Sequence, residues 1–315
     1  MEMKIKMIED FKVITKLIKK YVKKLKKEKS VVSIIQIGSS LRKEDFKSNS
    51  DIDFLIIYKN PVKKPIEIED IDGLEVNLIR HGRKQFLELL KEGNPVDLIA
   101  LKFGKVLYGN DFITQIKKKK FKHSEKTIEK WIHTATFNLM DAATNYSFPH
   151  CICCYFKAIH HASREFSRVI ILKEQKKLLE GDRAILKNLK SNYPELYKKF
   201  KLIVNGRKNY KKFRQNYIKS PKIKNSGLGK YLLALEDISI EALKITKGLE
   251  VPKINKIIKE LEKKYEIDHY HSFYLIPENK ELMLHLILKS DKSGIFQYSL
   301  KDKKLASEKE LFKVL

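Results

Sequence analysis

Ser33-Ile34-Ile35-Gln36-Ile37-Gly38-Ser39-Ser40-Leu41-Arg42, followed by Ser50-Asp51-Ile52-Asp53-Phe54-Leu55-Ile56-Ile57, are the two runs from which the architecture of this chain is read. Ile34 to Ile37 is an apolar run bounded by turn residues, the pattern of a buried strand, and it leads straight into a glycine and two serines. Glycine lets a backbone come close to a ligand. A helix opening at Leu41 would put the amides of Ser39 and Ser40 at its N-terminus, where free N–H groups and the helix dipole favour a phosphate. Asp51 and Asp53 stand two apart in a second strand-like run over 51–58, and the period of a strand points both side chains to one face. Neighbouring carboxylates repel each other. A divalent cation relieves the repulsion, and oxygen ligands of this kind suit Mg²⁺ that is also bound to the phosphates of a substrate.

Gly38-Ser39, Arg42 and Ser50-Asp51-Ile52-Asp53, in that order, resemble the signature of the nucleotidyltransferase superfamily related to DNA polymerase beta, in particular its small archaeal and bacterial branch. Any one of these pieces alone would read as a turn or a solvated strand entry; their combination is what carries the resemblance. The resemblance implies an α+β fold in which a mixed sheet with flanking helices forms a nucleotidyltransferase domain. It implies an enzyme that moves a nucleoside monophosphate, AMP foremost, from ATP or another NTP to a hydroxyl of an RNA, protein or small-molecule acceptor, with Mg²⁺ or Mn²⁺ as cofactor. Gly38, Ser39, Ser40, Arg42 and Ser50 would then bind the nucleotide, while Asp51 and Asp53 would hold metal and serve catalysis. Lys43 stands where the family often has glycine.

A third carboxylate normally lies on the next strand, here Leu74-Glu75-Val76-Asn77-Leu78-Ile79, in which Glu75 and Asn77 share a face. Spacing to the helix around Phe86 favours Asn77 as the equivalent position, yet only Glu75 can act as a base or a third anionic metal ligand. With Glu75 in the role the domain is a transferase. With Asn77 it is a catalytically weak binding or regulatory module, antitoxin-like or RNA-binding.

The chain has 315 residues, more than one ordinary core serves, so two or three domains are expected. Lys and Arg number 66 against 39 Asp and Glu, a net charge of +27 that fits either a nucleic-acid partner or a lysine-rich genome, such as a thermophile's. Three clustered cysteines are too few for a disulfide framework. The first residues are charged, unlike a signal peptide, and no apolar run approaches a membrane span. The expected location is the cytoplasm, with no membrane partner.

Along the chain, 6–27 has the spacing of an amphipathic helix, strands are expected near 33–37, 51–58 and 74–80, and helices over 83–91 and 96–103. This nucleotidyltransferase domain is placed at 1–112. A helical bundle follows over 113–250, with helical patterns at 125–146, 151–179 and 231–249 and basic connecting segments between. It resembles the helical domains of HEPN proteins and kanamycin-type transferases, but lacks an arginine followed four to six residues later by histidine, so a nuclease role has little support. Glu165 reads as a plain exposed glutamate, and the cysteines beside His150 as buried small hydrophobes. A small α/β meander domain closes the chain over 251–315, with a helix near 253–265 and strands at 270–276, 282–288 and 295–300. There His269 and His271 share a face, while the place of His285 depends on register.

Overall fold

The structure is a computed structural model. It describes residues 11–43, 46, 50–71, 73–147, 152–213, 227–248, 263, 267–278, 281–290, 294–299 and 304–310. Two compact units emerge, one of residues 1–130 with 178–182, the other of 131–177 with 183–315.

The first unit is built on a five-stranded mixed sheet in the order β3-β4-β2-β1-β5, with β1 Val31–Ile37, β2 Ile52–Tyr58, β3 Ile66–Ile71, β4 Leu74–Gly82 and β5 Lys105–Tyr108. β2 runs parallel to β4; the other neighbours are antiparallel. Ile34, Ile35 and Phe54 to Ile57 are fully buried. Strands covered on both faces read as continuous apolar runs rather than as alternations, which is why β1 and β2 were visible in the sequence.

Helix α1 (Phe11–Leu25) lays Ile14, Ile18, Tyr21, Val22 and Leu25 against Ile34, Phe54, Ile56, Val76 and Leu78 to make the main core. Burying side chains of this size contributes about 1.5–3 kcal/mol each. Helices α2 (Arg83–Lys91) and α3 (Pro95–Phe103) lie between β4 and β5, and α4 (Asn110–Lys118) follows β5. Asn94 caps α3 by accepting from the amides of Val96 and Asp97, and Pro95 takes its first turn, so its start is fixed locally.

In the second unit the helices are α5 (Glu125–Ser147, which begins in the first unit), α6 (Ile152–Gln175), α7 (Asp182–Asn192), α8 (Pro194–Lys208) and α9 (Gly229–Lys247). α6 is buried nearly throughout and packs with α8 and α9. Phe156, Phe213 and Tyr231 meet edge to face or tilted, and Tyr155 donates its hydroxyl to the Leu228 carbonyl at 2.9 Å. Gly206 lets α8 approach, since a Cβ there would strike the Tyr231 and Phe156 rings. The segments read as basic connections between long helices thus include α7 and α8.

Two readings of α6 are corrected. Glu165 is buried, not exposed, because Arg168 at 3.0 Å and Arg164 at 3.5 Å neutralise it there. Cys153 and Cys154 are exposed rather than buried, because they fall on the outer side of the first turn of α6; Cys153 is disulfide-bonded, and Cys154 is in no disulfide. His150 and Cys151 lie outside the described residues.

An antiparallel meander completes this unit: β6 (Ile267–Glu278), β7 (Glu281–Ser290), β8 (Gly294–Ser299) and β9 (Lys304–Glu310), in sequence order. The sequence reading had the first three strands and not the fourth. His269 is paired with Lys289 and His285 with Tyr274, so these histidines are not cross-strand partners. Most of the helix expected over 253–265 lies outside the described residues.

Candidate active site

The site grows from the register between β1 and β2. Ile37, the last residue of β1, faces Asp53, the second of β2, so Gly38 emerges beside the Asp53 carboxylate. Gly38 has φ +77°, a conformation that side-chain-bearing residues rarely adopt, and a Cβ built on it would lie 2.5 Å from Asp53 Oδ2. Two separate requirements therefore call for glycine here.

Beyond Gly38 the sequence reading is corrected. Instead of a helix opening at Leu41, Ser39–Leu41 forms a single 3₁₀ turn, in which Leu41 N–H donates to Gly38 O and Arg42 N–H to Ser39 O. Phe46, anchored in the core, donates its amide to Arg42 O and pulls the chain back to the sheet. A buried tether sets the turn: Gln36 Nε2 donates to both the carbonyl and the hydroxyl of Ser40, and Ser40 Oγ donates to Ile37 O. The Ser40 hydroxyl thus points inward, while Ser39 stays half-buried.

Asp51 precedes β2 and Asp53 lies in it, both half-buried. Their carboxylates converge: Asn77 Nδ2 donates to Asp51 Oδ2 at 3.2 Å and to Asp53 Oδ1 at 3.0 Å. The parallel pairing of β2 with β4 is the reason, since Asn77 is the direct partner of Asp53. Glu75 is exposed and paired with Asp70 on β3. Among the described residues no group of three His, Cys, Asp or Glu side chains stands close enough to hold a metal ion. Asp51 and Asp53 are the residues that would hold a divalent cation, since one carboxylate oxygen of each comes within hydrogen-bonding reach of Asn77 Nδ2.

Arg42 and Ser50 complete the residues singled out in the sequence. Ser50 lies half-buried just before Asp51. Arg42 donates Nη1 to Glu180 Oε2 at 2.9 Å, an ion pair across 138 residues that joins the site turn to the loop between α6 and α7. Nothing in the local sequence around 180 signals this pairing.

Elsewhere in this unit, Asp97 of α3 and His81 of β4 form a buried pair at 3.4 Å. Burial raises the Asp97 carboxyl to about 7 and lowers His81 below its usual 6.5. β3 is the second surprise. It is an edge strand, antiparallel to β4, whose register puts Ile68 beside Asn77 and hence on the face of Asp53. Ile68 is 64 % exposed and Ile66 68 %.

Gly38, at positive φ, stands against Asp53, the second of two converging aspartates, on a mixed sheet entered by a long helix. Residues 17–130 match the nucleotidyltransferase domain family. The matched stretch runs from within α1 to the first turns of α5 and contains Gly38, Arg42, Asp51, Asp53 and Asn77. No curated protein matches the chain. Among solved structures, a nucleotidyltransferase-like protein from Exiguobacterium sibiricum 255-15 is 15 % identical, with 79 % of this chain and 78 % of that one covered, at a TM-score of 0.34. A likeness that distant carries no argument about this chain.

Proposed function

We propose that this protein is a nucleotidyltransferase that binds a nucleoside triphosphate at the Gly38-Ser39 turn, holds Mg²⁺ or Mn²⁺ with Asp51 and Asp53, and transfers the nucleoside monophosphate to a hydroxyl. The observation that carries the reading is the convergence of Asp51 and Asp53 on Asn77 Nδ2, with Asp53 packed against Gly38.

The turn offers the triphosphate the backbone amides of Ser39 and Ser40, the first of a helical turn and so without acceptors inside it. Ser40 contributes through its backbone and through the tether that fixes the turn. Its hydroxyl is engaged with Gln36 and Ile37. Asp51 and Asp53 would coordinate the cation, which supplies charge neutralisation for the triphosphate and for the two acids themselves. In the transfer, the acceptor oxygen bonds to the α-phosphorus as the bond to the bridging oxygen of pyrophosphate breaks, and the acceptor proton passes to a base. Positioning and electrostatics do the remainder, with no covalent intermediate on the protein. Arg42, next to the turn, would meet the phosphates, and AMP is the first group to test.

The base decides between this reading and a second, in which the domain binds nucleotide with little turnover. Glu75 is the carboxylate on β4 available for the role, and Asn77 beside both aspartates is what favours the second reading. Transfer from each α-labelled NTP onto total RNA and total protein, with Mg²⁺ or Mn²⁺, tests the proposal: label that depends on Asp53 supports a transferase and identifies the acceptor. Nucleotide binding without label above the Asp53→Ala background would select the binding module.

A further inference from the structure

The loop between α6 and α7 is separated from the site turn by 138 residues in sequence, yet Leu178–Asp182 belongs to the same compact unit as the sheet. Leu178 is buried, and the loop bends sharply at both ends, with φ +55° at Lys176 and +81° at Gly181. Between these lies Glu180, whose side chain is only 5 % exposed and whose Oε2 accepts from Arg42 Nη1 at 2.9 Å. A carboxylate this buried needs a cation for a partner.

The pair is asymmetric. The Arg42 side chain keeps 33 % of its surface exposed against 5 % for Glu180, so the arginine reaches solvent where its partner does not. Its backbone is fixed to the Ser39–Leu41 turn by the bond from Arg42 N–H to Ser39 O at 3.2 Å. Guanidinium is a planar fork of five N–H donors, and one carboxylate oxygen takes one of them. Held in this way it can engage phosphate oxygens and Glu180 together, which a freely rotating arginine does only after losing its rotamer freedom.

We propose that Glu180 is a positioning residue: it orients Arg42 toward the triphosphate, so that a loop of the helical region forms part of the nucleotide site. This rests on the nucleotide-binding reading above. Glu180 touches no reacting atom, and it acts through Arg42.

The test measures binding of the α,β-methylene analogue of each NTP, with Mg²⁺, to the full chain, followed calorimetrically for wild type, Glu180→Ala, Glu180→Gln, Arg42→Ala and the double variant Arg42→Ala/Glu180→Ala. Glu180→Ala is expected to weaken binding about tenfold, the equivalent of about 1.4 kcal/mol. Glu180→Gln, which keeps an acceptor for Nη1, is expected to stay within about threefold of wild type. In the Arg42→Ala background, removal of Glu180 is expected to cost nothing further. A residue that merely holds the fold together would show neither the rescue by Gln nor the dependence on Arg42. Should Glu180→Ala fail to fold, Glu180→Asp, which keeps the charge but shortens its reach, carries the same expectation of weakened binding that vanishes without Arg42. Wild-type affinity in the Ala or Asp variant, or an equal loss with and without Arg42, overturns the proposal while the nucleotide reading stands. No binding of any analogue by wild type overturns both.

Discussion

Gly38 and Asp53 are coupled through contact, and the coupling makes a sharp expectation at the residue scale. A methyl group at position 38 would have to displace the Asp53 carboxylate as well as accept a positive φ, which costs an L-residue about 1–2 kcal/mol. Gly38→Ala is therefore expected to lower nucleotidyl transfer by about 10²-fold, the scale on which small misplacements of reacting groups act. Retained activity in a steady-state assay would contradict the contact. Asn77 supplies the opposite experiment. Asn77→Asp would add a third carboxylate beside Asp51 and Asp53, so cation affinity should rise, read out as tighter Mn²⁺ binding, and transfer should speed up about tenfold or more.

The buried Asp97 gives a pH dependence. Its carboxyl is raised by burial from 3.8 to about 7, so the folded state holds that proton more tightly than the unfolded chain does. The resulting stabilisation is complete below the unfolded value and is lost as pH rises through about 7. His81, lowered by burial, opposes folding on the acid side. Asp97→Asn removes the carboxyl's share. Its melting temperature should gain on wild type between pH 4 and pH 8, and a gap that does not widen would show that Asp97 is better compensated than its geometry implies.

At the scale of elements, the contrast between β3 and β4 separates what the sequence disclosed from what it hid. β1 and β2 were legible because burial on both faces leaves an uninterrupted apolar run. The aspartates were legible because a strand's period is short and exact enough to place two side chains on one face. The third position was legible only in part: Glu75 and Asn77 share that face, spacing to the helix around Phe86 favoured Asn77, and the β2–β4 register is what pairs Asp53 with Asn77. β3 was missed for another reason: Ile66-Glu67-Ile68-Glu69 alternates as a strand should, but its apolar side is exposed at the sheet edge, so the alternation does not report a core. This yields a test. Ile68→Thr should change stability by less than about 0.5 kcal/mol, whereas Leu78→Ala on β4, fully buried, should cost about 2–5 kcal/mol in denaturant titration. The 3₁₀ turn at Ser39–Leu41 was hidden too, since what closes it is a buried Gln36–Ser40 tether that no propensity encodes.

For the whole molecule, the informative feature is the return of the chain to the first unit at Leu178–Asp182. A fragment ending at residue 130 would contain the entire stretch that matches the nucleotidyltransferase family, yet lack Glu180 and the buried Leu178. Such a fragment should melt at a lower temperature than the same unit in the full chain and bind nucleotide more weakly, and equal behaviour in both assays would show that the returning loop is dispensable. The net charge of +27 bears on the acceptor rather than on the fold. If RNA is the acceptor, transfer should fall steeply as salt is raised, through loss of counterion release, whereas transfer to a small molecule should be nearly salt-independent. Among the described residues no helix is long and apolar enough to cross a membrane.

The most direct test of the account is Mg²⁺-dependent transfer of label from α-labelled ATP, CTP, GTP and UTP to total RNA and total protein, with wild type, Asp53→Ala, Glu75→Ala and Asn77→Asp assayed side by side. The account predicts label on one class of acceptor with wild type, its disappearance in Asp53→Ala, and faster labelling in Asn77→Asp; loss in Glu75→Ala would assign the base. Label of equal intensity in wild type and Asp53→Ala, or no label from any of the four nucleotides even in Asn77→Asp, would contradict it.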